Sequence, residues 1–83
     1  MTPTITHKKE SMTLEEMQKA VGGYIEIAYD DGKTQIICNE EGKLLGLPLN
    51  VEATRMWGEL IGTIPNDVLV GDVLILTDKG RLS

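Results

Sequence analysis

The chain has 83 residues, with thirteen acids against eight bases and a formal charge of −5. It therefore lacks the basic footprint that nucleic acid or an anionic membrane surface requires. The length is that of one domain, near the lower limit for a single hydrophobic core. With no Phe, one Trp and two Tyr, the core must be built from Ile, Leu, Val and Met.

A domain this small gains stability by burying an apolar face against copies of itself, so a homo-oligomer is expected. Cys38 is the only cysteine, which excludes an internal disulfide and fits a reducing compartment. The first residues lack the charged and apolar regions of a signal peptide. The longest apolar runs, such as Val73-Leu74-Ile75-Leu76, are far too short to span a bilayer. These features predict a soluble, cytoplasmic protein.

Residues 1–11 read as a polar N-terminal extension, in which Thr4-Ile5-Thr6 either adds an edge strand or frays as a tail. Residues 12–83 form the single domain. Thr13-Leu14-Glu15-Glu16 is a capping box: Thr13 and Glu16 can each satisfy the other's backbone N–H. Leu14, Met17 and Val21 follow at helical spacing, Lys19 suits the C-terminal end, and Gly22-Gly23 stops the helix.

Tyr24 to Tyr29 and Lys33 to Asn39 read as a hairpin around Asp31-Gly32. That loop sets Tyr24 across from Asn39. It places Ile25, Ile27 and Tyr29 on a core face with Cys38, Ile36 and Thr34. Tyr24, Glu26 and Ala28 then share a mixed face with Asn39, Ile37 and Gln35, and this face could line a groove. A one-residue slip would reverse the two faces.

Asn39-Glu40-Glu41-Gly42 has the composition of a turn. Lys43 to Leu49 is apolar but broken by Gly46 and Pro48, which predicts a short strand or an extended crossing. Asn50 can cap a second helix from Val51 to Leu60, with Val51, Thr54, Trp57 and Ile61 on one stripe. Val68 to Thr77 reads as two strand pieces hinged at Gly71-Asp72. The predicted fold class is α+β, a small antiparallel sheet with a central hairpin and two short helices.

Few residues suggest chemistry. His7 lies in the extension with no second His or Cys near it, so neither a metal site nor a triad is supported. Cys38 sits on the predicted core face as a small hydrophobe. Glu15-Glu16 and Asp30-Asp31 are explained by a helix start and a turn. Glu40-Glu41 has no strong structural need for two acids and could offer acceptors to a ligand, although a solvated turn is the plainer account. The helix start at Asn50-Val51 is a candidate anion seat, flanked in sequence by Lys43 and Arg55. Trp57 suits a core or an oligomer contact better than a stacking platform. No catalytic group, cofactor site or metal site is assigned.

Two segments carry a family resemblance: Thr13-Leu14-Glu15-Glu16-Met17-Gln18-Lys19-Ala20-Val21-Gly22-Gly23-Tyr24-Ile25-Glu26 and Cys38-Asn39-Glu40-Glu41-Gly42-Lys43-Leu44-Leu45-Gly46-Leu47-Pro48-Leu49-Asn50. With the later Gly71-Asp72-Val73-Leu74-Ile75, they resemble the domain-of-unknown-function family DUF3846 over residues 12–77. The chain departs from the family's pattern in its N-terminal extension and in ending soon after the last strand. The resemblance implies a phage or mobile-element origin and no established activity.

A small acidic phage protein without catalytic groups acts by binding something of its host. The leading expectation is sequestration of a small, nucleotide-derived defence signal in an intersubunit pocket. Its ligand-binding residues would be Tyr24, Asn39, Glu40, Lys43, Asn50 and Arg55, supplying stacking, hydrogen bonds and charge. The alternative is an inhibitor or modulator of a host protein, and the least favoured reading is an enzyme built on Glu40-Glu41.

Overall fold

The computed structural model describes residues 2–82. Helix α1, Leu14–Val21, begins where the capping box closes: Glu16 N donates to Thr13 Oγ1 at 3.1 Å, and Thr13 N donates to Glu16 Oε1 at 2.9 Å. It ends at Gly22, whose backbone is left-handed and whose N–H donates to the Gln18 carbonyl at 2.8 Å. Every partner in these caps lies within four residues, so they form without help from the rest of the fold.

Strands β2, Ile25–Asp30, and β3, Thr34–Asn39, make the hairpin. Its loop is Gly32-Lys33 rather than Asp31-Gly32. Asp31 N donates to the Thr34 carbonyl at 3.2 Å, and Asp31 Oδ1 accepts from Lys33 N and Thr34 N at 2.8 and 2.7 Å. Asp31 is thus the first residue of the turn, its carboxylate folded over the following N–H groups. The shifted loop pairs Asp30 with Gln35 and Tyr29 with Ile36.

A bulge at Ala28 then changes the register, so that Ile27, Glu26 and Ile25 stand opposite Ile37, Cys38 and Asn39. Two sequence-based expectations are corrected here. Asn39 faces Ile25, and the Tyr24 carbonyl accepts from Glu40 N at 2.9 Å. The bulge also splits the expected core face, because an inserted residue reverses the alternation beyond it. Tyr29 joins Ile36 and Cys38 on one side of the sheet, while Ile25 joins Ile37 on the other.

Strand β4, Val73–Thr77, pairs antiparallel with β3, and strand β1, Ile5–Lys8, pairs parallel with β4. The sheet order is β1-β4-β3-β2. The fold is α+β as expected, but the sheet is mixed, with the hairpin at one side of it. The N-terminal segment is no extension: β1 is a strand of the sheet, and the Thr4 carbonyl accepts from Val73 N at 3.0 Å. The sequence separation of that pair explains why local pattern could not decide between strand and tail.

The core lies on both faces of the sheet. Met17 and Val21 of α1 pack on Ile37, Leu74 and Leu76. Helix α2, Val51–Ile61, packs Ala53, Met56 and Trp57 on Ile36, Cys38, Val73 and Ile75. The expected stripe through Val51 is rotated away, and Val51 is exposed. The turn of α2 is set by its cap and by Thr54, whose Oγ1 donates to the Asn50 carbonyl and accepts from Leu69 N.

Between β3 and α2 the chain runs through turns to Gly46, then forms one bridge, Leu49 to Val70. This bridge is the whole of the expected extra strand pieces. A 3-10 turn, Asp78–Gly80, follows β4. No helix among the described residues is long and apolar enough to cross a membrane.

Candidate functional site

The six residues named from sequence do not converge on one place. Asn39 is buried and committed at both ends of its amide: Nδ2 donates to the Val21 carbonyl at 3.1 Å, and Oδ1 accepts from Glu41 N at 2.8 Å. It ties the end of α1 to the turn after β3. Gly23 makes the approach feasible, since a Cβ there would lie 2.9 Å from Asn39 Nδ2. The second glycine of the pair therefore serves this contact, while the first ends the helix.

Asn50 is 2% exposed. Its Oδ1 accepts from Ala53 N at 3.0 Å, and its Nδ2 donates to the carbonyls of Thr4 at 3.1 Å and Gly71 at 2.9 Å. One side chain thus caps α2 and clips together the starts of β1 and β4. A buried amide with its polar atoms satisfied holds the fold and leaves nothing for a ligand. Arg55 lies on the outer surface of α2, bonded to Glu52 at 2.6 Å and Glu59 at 3.3 Å. It borders an apolar groove of about 680 Å³ lined by Leu49, Val51, Ile64, Pro65 and Val68.

Tyr24 is exposed and borders a shallow depression with Gln18, Glu41 and Leu45. Glu40 and Lys43 belong together, with the edge of Asn39, in a cleft of about 430 Å³. The cleft lies between the β2–β3 hairpin, the turns after β3, α2 and the segment before β4. Its walls include Glu26, Cys38, Trp57, Asp67 and Leu69. None of Glu26, Trp57 and Asp67 is among the ligand-binding residues expected from sequence, although Glu26 stands by sequence on the mixed face that could line a groove and Trp57 suits a core or oligomer contact. Alternation in β2 was the one available signal for Glu26, while Trp57 and Asp67 reach the cleft only through packing of distant segments.

The electrostatics of this cleft are lopsided. Three carboxylates, Glu26, Glu40 and Asp67, share it with one ammonium, and Lys43 is already ion-paired with Asp67. That pairing, with a further bond from Val68 N, holds the Asp67 carboxyl below its ordinary value. Burial, with Glu26 beside it, pushes the Cys38 thiol up to about 11. The thiol is therefore protonated near neutral pH and is a poor nucleophile. No three His, Cys, Asp or Glu side chains gather as a metal-binding group among the described residues.

The cleft can thus bind by shape, by acceptors at its rim and by the Trp57 side chain that helps line it, and its Cys38 thiol is not an activated nucleophile. No curated protein and no solved structure matches the chain. The family model described as "Domain of unknown function (DUF3846)" matches residues 1–82. That span includes β1, which the resemblance read from sequence left outside. The chain belongs to the DUF3846 family.

Proposed function

We propose that the protein is a non-enzymatic binding protein that sequesters a small molecule in the Glu26–Glu40–Lys43–Trp57 cleft. The observation that supports this reading is the cleft itself, whose volume of about 430 Å³ lies within the range of small-molecule sites. An aromatic side chain, one cation and several acceptors meet there without the base-and-nucleophile pairing that covalent catalysis needs.

The charge balance refines the ligand class. A polyphosphate meets three carboxylates against one ammonium that is already paired, which is unfavourable in a partly desolvated site. A nucleobase or nucleoside presents donors to those carboxylates and a flat face to Trp57. The proposed ligand is therefore the uncharged, nucleoside-like kind of nucleotide-derived defence signal.

Mass spectrometry of small molecules released from purified, denatured protein tests this directly. The expected result is an intact nucleoside-like compound that raises the melting temperature on re-addition. Trp57→Leu and Glu40→Gln should weaken that shift, and Arg55→Ala should leave it unchanged. Release of nothing, together with no stabilisation by a library of bases and nucleosides, refutes the proposal. Recovery of a chemically altered ligand replaces it with an enzymatic reading.

A further inference from the structure

The sheet has two unpaired edges of opposite character. Ladder bonds alternate along a strand between inward and outward directions. On β2, the Tyr24 carbonyl and the Asp31 N–H point at β3. The alternation then turns the N–H and C=O groups of Ile25, Ile27 and, past the bulge, Asp30 outward. On β1, the Thr4 carbonyl points at β4, which turns the groups of Ile5 and His7 outward. No strand pairs with either edge among the described residues.

Charge divides the two edges. The β2 edge carries Glu26 and Asp30, followed by Asp31, all exposed, whereas the charged residues at the β1 edge are Lys8 and the following Lys9, also exposed, with Glu10 beyond them. A β2–β2 contact would bring acid to acid, and a β1–β1 contact base to base. These are the devices by which edge strands avoid like partners. The remaining combination, β1 against β2, sets opposite charges together.

Direction agrees as well. β1 runs parallel to β4, and β2 and β4 are both antiparallel to β3, so β1 and β2 run the same way. Two copies related by simple head-to-tail displacement can therefore join them as a parallel pair. We propose that the β1 edge of one copy adds to the β2 edge of a second copy of this chain, continuing the sheet across the junction.

The contact is heterologous, so it propagates or closes into a ring instead of stopping at a symmetric dimer. It also bears on the cleft. Ile5 packs into the cluster on the α2 side of the sheet, and His7 lines a pocket there with Met56 and Leu60. Glu26 borders the cleft on that same side. The second copy's β1 would thus run along the flank of the cleft beside Glu26. The assembly itself does not depend on what the cleft holds.

Light scattering coupled to size exclusion, on the full chain across protein and salt concentrations, tests this. The expected mass grows with concentration beyond two chains and falls as salt rises. Ile27→Pro removes one outward N–H from β2, and His7→Pro removes one from β1, each without deleting a ladder bond. Each variant alone should stay one chain in mass, and their equal mixture should reach two chains and stop.

Circular dichroism is the check that both variants are folded. Glu26→Lys, which leaves the backbone intact, should raise the half-association concentration about tenfold and so tests the same contact if a proline variant does not fold. A wild-type mass of one chain at every concentration overturns the proposal. So does a larger assembly that survives all three substitutions, or a proline-variant mixture that stays monomeric while both are folded.

Discussion

Replacing Asn50 separates a structural role from a ligand-binding one. Asn50→Ala removes an N-cap, which costs about 1 kcal/mol. It also strips the buried Gly71 carbonyl of its donor, adding roughly 1–2 kcal/mol. The Thr4 carbonyl keeps its bond from Val73 N, so its loss adds little. The expected destabilisation is about 2–3 kcal/mol, or roughly 8–24 °C in melting temperature for a domain this small.

Asn50→Asp sharpens the test. An aspartate keeps the acceptor for Ala53 N but turns a carboxylate oxygen toward two carbonyls, so at neutral pH it should match or exceed the alanine variant in damage. Urea unfolding followed by Trp57 fluorescence and circular dichroism measures both variants. If Asn50→Asp is as stable as wild type, the cap alone matters and the clip reasoning fails. If Asn50→Ala costs under about 0.5 kcal/mol, well below the loss of a cap and a buried bond together, the assignment of Asn50 to the fold fails too.

Three further outcomes are expected. Gly71→Ala should destabilise by at least about 1 kcal/mol in a thermal melt, because its φ is +74° and a Cβ would lie 2.7 Å from Leu47 Cδ1. Cys38 should resist alkylation near neutral pH and react at the rate of global unfolding, since burial keeps it a thiol up to about 11; rapid labelling of the native chain would contradict that burial. The Asp31 carboxyl is held below its ordinary 3.8 by bonds from Thr34 N and Lys33 N. Its folded value is depressed, so its contribution is complete above the unfolded value and drains away as pH falls through the folded one. Melting temperature should therefore drop on acidification below about that 3.8, and Asp31→Asn should flatten the drop.

The candidate cleft was only partly legible in the sequence. Glu40 and Lys43 were visible because an acidic turn and a nearby base stood out in one short segment. Tyr24, Asn50 and Arg55 were drawn in by the assumed register or by nearness along the chain, and packing assigns them elsewhere. Glu26, Trp57 and Asp67 come from separate segments, and their meeting depends on how α2 and the chain before β4 settle on the hairpin.

What the amino-acid order determined by itself is what can be closed within a few residues. The Thr13–Glu16 box, the stop at Gly22, the cap at Asn50 and a turn around Gly32 each satisfy their own hydrogen bonds locally. Tertiary structure decided the rest. Sliding the turn from Asp31-Gly32 to Gly32-Lys33 leaves the local composition equally suitable. The bulge at Ala28 became necessary only once Tyr29 and Ile25 had separate cores to fill on opposite sides of the sheet. The parallel pairing of β1 with β4 joins the two ends of the chain, and no local pattern encodes a contact whose stabilisation comes from burying residues so far apart.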